Sequence, residues 1–360
     1  AGLAMNMFWY GEDTSWALDY PPYDIYAWNF PELWGFNRIQ ANEPFEAKLV
    51  EVEEASYPVG GVEGEVGYGY ALRDDTNNAV TMANRLLEEG ITTYWATEPF
   101  EDAGKEFGVG TFIIPRQKQE EYIVETAESL HLTLFALNAE PAEKKPLTLP
   151  KIAILYDKGV DTSAYGETQF TLKNLEFDFD VLNYVNVRKS NLKGYDIVIV
   201  PDGSAWSIWK KLGNKGQRGL LEFIRNGGTY FGVGEGGGRL VNYAKFLNAY
   251  AYRTKWYGGY NNGIVRLDYD PTDPVAAYYP EGSYAYAFFP VWFEVWGNVD
   301  TVASYASDDM LLAGWWPFSE VAEGYGAVVR GMYGRGNVIL SGVEPTFRAH
   351  TEFTFRLVAN

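Results

Sequence analysis

The pattern of apolar residues differs between the two halves of this 360-residue chain. In the second half, continuous apolar runs at residues 151–156, 195–201 and 229–233 predict strands that are buried on both faces. Amphipathic segments at residues 165–175 and 216–226 predict helices between these strands. Strand and helix in alternation indicate parallel βαβ units in a doubly wound sheet. A further strand is predicted at residues 178–182, three antiparallel strands at residues 263–270, 327–333 and 337–342, and a terminal helix near Thr351.

The first half has a different pattern, in which helices and short strands follow one another less regularly. Asp75 or Thr76 can cap a helix whose apolar face recurs at helical spacing and which ends at Gly90. Strands at residues 91–96 and 110–115 and a helix at residues 117–130 complete a small α+β domain. Three prolines and a charge cluster at residues 138–150 then predict a linker without regular structure. The predicted units are therefore residues 1–138, a linker at 139–150, and an α/β domain at 151–360.

Charge and composition narrow the classes of partner and chemistry. The 29 lysines and arginines against 48 aspartates and glutamates give a net charge of −19, which argues against nucleic acids and anionic membranes as partners. No apolar run approaches the ~18 residues of a membrane span. The chain has no cysteine and two histidines, which excludes disulfides, a cysteine nucleophile and a multi-histidine metal site within it. Aromatic residues make up 17% of the chain, which favours broad contact surfaces or a large aromatic core.

The sequence begins with Ala1, and residues 1–10 lack the basic start of a signal peptide. We therefore expect a processed piece whose signal lies further upstream. The acidity of the chain, together with its abundant aromatic residues, suits an extracellular location, either secreted or on the cell surface.

Seven segments together resemble the C-terminal, non-peptidase region of large secreted zinc carboxypeptidase-like proteins. They include PYDIYAWNFPELWGF, GYDIVIVPDG and LLEFIRNGGTYFGVGEGGG, and they lie at residues 22–36, 84–116, 177–183, 194–203, 220–238, 263–280 and 334–360. The resemblance implies an α/β fold in which a small α+β domain precedes a flavodoxin-like doubly wound parallel sheet. This second domain is expected to be class I amidotransferase-like, with added antiparallel strands.

The zinc site of that family is not found in this sequence. The family's peptidase domain carries an H-x-x-E pair and a distant histidine around one zinc. Neither His131 nor His350 is followed by a glutamate at the required spacing. The sequence therefore predicts no catalytic residue and no cofactor in this chain, with zinc expected only if an upstream peptidase domain exists.

The amidotransferase resemblance raises the question of a glutaminase site. Such enzymes place a cysteine at a strand-to-helix elbow in a G-x-C-x-G pattern, where backbone N–H groups hold the oxyanion. Residues 232–236 read GVGEG, so Gly234 occupies the nucleophile position, and His350 is the available histidine later in this domain. Glutaminase chemistry is therefore excluded by the residue types present.

A ligand site at this elbow is still a hypothesis. Residues 236–238 can open a helix whose N–H groups bind an anion, while Glu235 hydrogen-bonds a ligand and Arg239 pairs with a carboxylate. Asp202 and Ser204 follow the preceding strand and are expected at the same edge of the sheet. The alternative is that the glycines, Gly234 and Gly236 among them, permit a tight turn and nothing more.

Two other clusters admit a functional or a structural interpretation. Asp268, Asp270 and Asp273 can offer oxygens to calcium, although Asp-Pro pairs are also ordinary turn formers. A set of aromatic residues can form platforms for sugars or a protein partner, or can pack under loops. These residues are Trp256, Tyr257, Tyr260, Trp315 and Trp316.

Three functions remain open on the sequence. The first is a non-catalytic accessory or assembly chain that holds a catalytic carboxypeptidase chain, a substrate peptide or copies of itself. The second is the C-terminal portion of an active metallocarboxypeptidase whose zinc domain lies upstream or on another chain. The third is a structural subunit of an extracellular filament or surface layer.

Overall fold

The computed structural model describes residues 15, 27, 29–37, 39, 41–48, 50, 51, 53, 54, 56–189, 192–255 and 259–360. These residues form two large sheets, one in each half of the chain, with helices packed against both. The α/β class predicted from the sequence is confirmed. No helix among the described residues is long and apolar enough to cross a membrane.

The helices and strands of the described residues are numbered in chain order. The α-helices are α1 (Phe30–Trp34), α2 (Asn77–Glu88), α3 (Glu120–Ser129), α4 (Thr162–Asn174), α5 (Tyr184–Arg188), α6 (Ala205–Arg225), α7 (Val241–Ala244) and α8 (Arg356–Ala359). The strands of the first half are β1 (Gly61–Glu63), β2 (Gly69–Leu72), β3 (Tyr94–Ala96), β4 (Phe100–Asp102), β5 (Lys105–Phe107), β6 (Phe112–Pro115), β7 (Thr133–Leu137) and β8 (Lys144–Pro146).

The second half contributes the remaining strands and five short 3₁₀ helices. The strands are β9 (Ile152–Leu155), β10 (Phe179–Leu182), β11 (Ile197–Val200), β12 (Thr229–Val233), β13 (Ala249–Arg253), β14 (Asn262–Tyr269), β15 (Tyr284–Phe288), β16 (Val291–Val295), β17 (Val299–Tyr305), β18 (Leu311–Trp315), β19 (Gly326–Tyr333) and β20 (Gly336–Ser341). The 3₁₀ helices are Gly238–Leu240, Pro274–Ala276, Ser319–Ala322, Phe347–Ala349 and Glu352–Thr354.

The first sheet has the strand order β1-β7-β2-β6-β3-β8 and is antiparallel except where β1 pairs with β7. The chain runs β2-α2-β3, then β6-α3-β7, so each helix connects two strands that have a third strand between them. This is the split βαβ arrangement. Helix α2 begins after Thr76 and ends before Gly90 (φ +70°), as its pattern predicts. Ala79, Ala83 and Leu86 are buried against the sheet.

The predicted linker contains a strand. Residues 144–146 form β8, which pairs antiparallel with β3 at the edge of the first sheet. A proline is tolerated there because an edge strand leaves one row of N–H positions unpaired. Pro146 ends the strand. The prediction that residues 138–150 lack regular structure was therefore wrong for these three residues.

The second sheet begins with five parallel strands in the order β10-β9-β11-β12-β20. Their side chains alternate between two buried faces. Ile152 and Ile154 of β9 pack with α4 and α8, whereas Ala153 and Leu155 pack with α5 and α6. Because β10 and β11 lie on opposite sides of β9, the strand order reverses there. A crevice is expected at the carboxyl ends of the strands at such a point.

Two predictions for this sheet need correction. Residues 337–342 were predicted to add an antiparallel strand, but β20 pairs parallel with β12 and antiparallel with β19. It is therefore the fifth parallel strand and the junction with the antiparallel extension β13–β19. Helix α6 also begins eleven residues earlier than its predicted start at residue 216. Gly213 (φ +61°, ψ 171°) bends this helix and interrupts the apolar periodicity.

The two halves contact each other through an ion pair and buried hydrogen bonds. Arg85 of α2 forms a two-pronged ion pair with Glu176, at 2.7 and 2.8 Å. Arg356 of α8 is 2% exposed, and its guanidinium donates to the carbonyl oxygens of Asp74 and Ala277. Its guanidinium carbon also lies 4.6 Å from the ring centroid of Tyr279. Arg356 thus joins the first half to the second.

We expect Arg356→Met to lower the free energy of unfolding by about 2–4 kcal/mol, because two buried carbonyl oxygens lose their donor. The exposed Arg218→Met is a matched control and should change it by less than about 0.5 kcal/mol. Urea denaturation of the full chain measures both values. Equal stability of the two variants would show that the buried arginine contributes no more than a surface one.

Candidate functional site

The elbow predicted after the fourth parallel strand is present in the fold. Strand β12 runs directly into Gly234, which has φ +61° and whose N–H donates to the Ser341 carbonyl at 2.8 Å. This left-handed conformation favours glycine. A Cβ added at Gly234 would lie 2.5 Å from Asp202 Oδ1 and 2.5 Å from Glu344 Oε1. No side chain, and hence no nucleophile, fits at this position without displacing the two carboxyl groups.

Strand topology brings the two carboxyl groups together. Asp202 follows β11 and Glu344 follows β20, and both strands are hydrogen-bonded to β12 in parallel. Neighbouring parallel strands end at the same edge of a sheet, so residues distant in sequence meet there. Because each oxygen lies 2.5 Å from one common point, Asp202 Oδ1 and Glu344 Oε1 are at most 5.0 Å apart.

Glu344 is buried without a complete set of partners. The residue is 3% exposed, and its Oε1 has no hydrogen-bond partner among the described residues. Its backbone N–H donates to the Tyr286 carbonyl at 2.8 Å, which fixes the main chain. Burying a carboxyl oxygen without a hydrogen-bond donor costs free energy. The Glu344 carboxyl is therefore either protonated or able to accept a hydrogen bond from a bound ligand.

Asp202 is held more firmly and is partly open to solvent. Its Oδ1 accepts a hydrogen bond from Gly236 N–H at 2.8 Å, and its backbone carbonyl accepts from Asp161 N–H at 2.8 Å. The side chain is half-buried, so the cluster reaches the surface on this side.

Helix α4 adds two more carboxyl groups. Asp161 caps the helix by accepting from the N–H groups of Ser163 and Ala164, at 2.8 and 3.1 Å. Glu167 lies in the next turns, half-buried, and accepts a backbone hydrogen bond from Arg348. Arg348 (φ +47°) and Ala349 (φ +56°) are consecutive left-handed residues other than glycine, a strained arrangement that tends to occur at functional sites.

Burial and mutual repulsion raise the pKa values of this cluster. Burial raises the pKa of Asp202 to about 7, with added repulsion from Glu235 and Asp161, although the Gly236 N–H opposes the shift. Burial likewise raises the pKa of Glu167 to about 7. Burial and the charges of Asp202, Glu167 and Asp161 raise the pKa of Glu344 well above its ordinary value. The cluster therefore retains protons near neutral pH.

The residues predicted at the elbow are close together, but several already have partners. Glu235 forms ion pairs with Arg239, at 3.0 Å, and with Arg253. Arg239 thus pairs with a carboxylate as predicted, but the carboxylate belongs to the chain. The Gly236 amide donates to Asp202 Oδ1, and the Gly237 amide donates to backbone carbonyls. The N–H groups of Gly236 and Gly237 are therefore already used within the chain, which leaves the predicted anion seat at residues 236–238 without two of its donors.

Ser204 lies at the same edge of the sheet and has a structural role. Its Oγ caps helix α6 by accepting from Ser207 N–H at 3.4 Å.

Three residues of the predicted aromatic platform are described, and two of them are buried. Trp315 and Trp316 are 0% and 1% exposed, so these two belong to the core and not to an interface. Tyr260 is 39% exposed and its ring stacks on Phe288 at 6.1 Å. Trp256 and Tyr257 lie outside the described residues.

Two of the three calcium candidates have partners within the chain. Asp270 Oδ1 accepts from the N–H and hydroxyl of Thr272. Asp273 accepts from Val275 N–H and forms an ion pair with Arg330 at 2.7 Å. Asp268 is exposed on β14. In the part of the chain that the structure describes, no group of three or more acidic, histidine or cysteine side chains could hold a metal ion.

The two histidines lie in different parts of the fold. His131 (φ +57°) is exposed after α3, stacks on Tyr57 at 4.9 Å and contacts the Pro58 carbonyl through Nδ1. His350 is half-buried against the rings of Tyr286 and Phe347. Burial and the charge of Arg348 lower its pKa.

Sequence reasoning missed Glu344, Glu167 and Asp161. Asp161 was accessible to it, since an aspartate followed by threonine and serine before a helical segment is an N-cap signal. Glu344 carries no comparable signal, because its position beside Gly234 depends on which strand neighbours β12.

Two clefts elsewhere lie at the opposite, amino edge of the parallel sheet. One has a volume of about 450 Å³ and includes Lys193, Asp196 and Glu222, and the other has about 870 Å³ and includes Glu88 and Asp180. Neither contains a residue of the elbow cluster.

The chain was compared with known proteins. No family model matches it, and no curated protein matches it. Among solved structures, a β-galactosidase from Bacillus circulans sp. alkalophilus is similar at TM-score 0.37 and 15% identity, over 58% of this chain and 30% of that chain. A glutamine amidotransferase from Thermotoga maritima is similar at TM-score 0.37 and 16% identity, over 57% of this chain and 80% of that chain. At these TM-scores neither likeness establishes an activity.

Gly234→Ala should be more destabilising than an alanine at an equivalent left-handed glycine in open space. Gly90 provides that control, since its φ is +70° and an added Cβ meets nothing within 4 Å. We expect the Gly234 variant to lose at least about 1 kcal/mol more stability in urea denaturation, because its methyl group displaces two carboxyl oxygens. Glu344→Ala removes one of the two carboxyl groups that the methyl group would meet, so it should reduce the difference in stability loss between the two glycine variants. Equal losses at residues 90 and 234 would contradict the close approach.

The raised pKa values predict a pH dependence of stability. A carboxyl group whose pKa is raised by folding binds more protons in the folded state than in the unfolded state. Its stabilising contribution to the free energy of unfolding is therefore full below about pH 4 and is lost as the pH rises through about 7. Glu344→Gln, which mimics the protonated form, should raise the free energy of unfolding at pH 8 by about 1–3 kcal/mol and have little effect at pH 4. The exposed Glu281→Gln is the control. A loss of stability in Glu344→Gln at pH 8 would contradict this assignment.

Proposed function

We propose that the chain is a non-catalytic accessory or binding chain, in which a degenerate class I amidotransferase-like domain uses its elbow to hold a ligand or partner. The observation that carries this proposal is the position of Asp202 and Glu344 in the space that a nucleophile at residue 234 would need. The elbow turn is retained, but its chemistry is replaced by two carboxyl groups.

The arrangement of the second domain supports the choice of fold. Counted from β9, its parallel strands have the spatial order 2-1-3-4-5, which is the flavodoxin-like order, and helices cover both faces. The elbow follows the fourth of these strands, and the resemblance to amidotransferases implies a nucleophile at such a strand-to-helix elbow. This order supports the proposed fold, in which Gly234 has no side chain to act as that nucleophile.

The wider setting is part of the same proposal. The chain is taken as the C-terminal region of a secreted carboxypeptidase-like precursor that acts outside the cell beside a catalytic chain. The charge of −19 favours partners or ligands that carry positive charge. No zinc chemistry is assigned to the described residues, whose acidic and histidine side chains do not assemble a ligand set.

The test is an activity assay on the full chain with glutamine, followed by ammonia release, and with a C-terminal peptide substrate in the presence of zinc. We expect neither reaction to exceed the protein-free blank, because residue 234 has no side chain to attack the carbonyl and the described residues assemble no zinc ligand set. Asp202→Asn and the exposed Glu281→Gln are assayed in parallel. Turnover that disappears in Asp202→Asn and persists in Glu281→Gln would show that the elbow is catalytic and would overturn the proposal.

A further inference from the structure

The carboxyl cluster at the elbow has a geometry that suits one class of ligand. Asp202 Oδ1 and Glu344 Oε1 are at most 5.0 Å apart. A charged nitrogen donates at about 2.8 Å, so it can contact two oxygens at once when they are less than about 5.6 Å apart. The two oxygens can therefore share one nitrogen that carries at least two N–H groups.

The two carboxyl groups differ in whether they already accept a hydrogen bond. Gly236 N–H already supplies a donor to Asp202, whereas Glu344 Oε1 is buried and has none among the described residues. A residue that is 97% buried and ends in an acceptor aimed at the elbow is a position where a donor is missing. A ligand N–H would supply it.

The carboxyl groups at the site also favour a positively charged ligand. Among the described residues, none of the ion pairs joins a cation to Asp202 or Glu344, and the neighbouring Arg239 and Arg253 are both paired with Glu235. Asp161 and Glu167 add two further carboxyl groups from α4. An anionic ligand would be repelled, and a divalent metal would need more oxygen ligands than the described side chains assemble.

The site is accessible from one side. Asp202, Ser204 and Glu167 are half-buried, and Asp161 is exposed, so the cluster opens to solvent between the end of β11 and the start of α4. Glu344 closes the inner end. A ligand group would therefore approach from the side of Asp202.

We propose that Asp202 and Glu344, supported by Glu167 and Asp161, form a receptor for a positively charged nitrogen that bears N–H donors, a primary ammonium or a guanidinium group. The inference rests on the proposed binding function and names its ligand class. Such groups occur on lysine and arginine side chains and on small amines, and the shared chemistry is what the site recognises.

Binding should depend on pH because the receptor must ionise. The titratable groups that act on Glu344 are Asp202, Glu167, Asp161 and Tyr305, and Arg348 acts on Glu167. A cation favours the ionised carboxylates, so its affinity should increase between about pH 5 and pH 8, and binding near neutral pH should release protons.

The experiment is calorimetric titration of the full chain with n-butylammonium chloride at pH 6 and pH 8, at near-physiological salt. We expect saturable binding that is tighter at pH 8. Glu344→Gln should weaken it at least about tenfold, the equivalent of one charge-assisted hydrogen bond, while Glu281→Gln should leave it unchanged. Tetramethylammonium, which has the charge but no N–H, should bind at least about tenfold more weakly than butylammonium.

Three results would overturn the inference. They are the absence of saturable binding, equal binding in Glu344→Gln and Glu281→Gln, or a preference for magnesium chloride over butylammonium. The activity assays of the preceding section separate this failure from that of the proposed function. An inactive chain that does not bind the amine loses only the ligand class, whereas elbow-dependent turnover removes the binding function itself.

Discussion

The carboxyl oxygens of Asp202 and Glu344 approach the backbone of Gly234 so closely that a methyl group would collide with both. This approach requires a glycine with φ +61° directly after β12, with the buried Glu344 and the half-buried Asp202 beside it. A side chain at residue 234 would displace these two groups, and the cluster that they form with Glu167 and Asp161 is called here the acidic recess. The interpretation of the chain as a binding protein depends on this contact.

The fold assembles the recess from four distant parts of the sequence. Asp161, Asp202, Gly234 and Glu344 follow or precede elements of one parallel sheet, and they meet because the carboxyl ends of β9, β11, β12 and β20 lie at one edge. Burying several carboxyl groups together disfavours the folded state at neutral pH, since each must lose its charge or remain poorly solvated. The large cores on both faces of the sheet offset that cost.

Part of this arrangement could be predicted from sequence. The elbow, Asp202 and Glu235 were identified because each follows a continuous apolar run that marks a buried strand, and local chain order fixes their position. Glu344 was missed because its place depends on β20 pairing parallel with β12, a long-range choice that the apolar pattern of residues 337–342 does not encode. Trp315 and Trp316 were considered for an interface, but both are buried. The prediction failed because composition cannot distinguish a partly exposed aromatic residue from a core one. The strand at residues 144–146 was missed because the three prolines of residues 138–150 argue against regular structure, yet an edge position accommodates the one proline of the strand, Pro146.

The protonation of Glu344 tests the central claim most directly. The carboxyl ¹³C resonance of this residue, assigned by its absence in Glu344→Gln, can be followed by NMR as the pH is raised. The account predicts a titration midpoint well above the ordinary glutamate value of about 4.3, because the group is buried beside other carboxyl groups. A midpoint near that ordinary value would mean that Glu344 is solvated and apart from Asp202, and the recess described here would not exist.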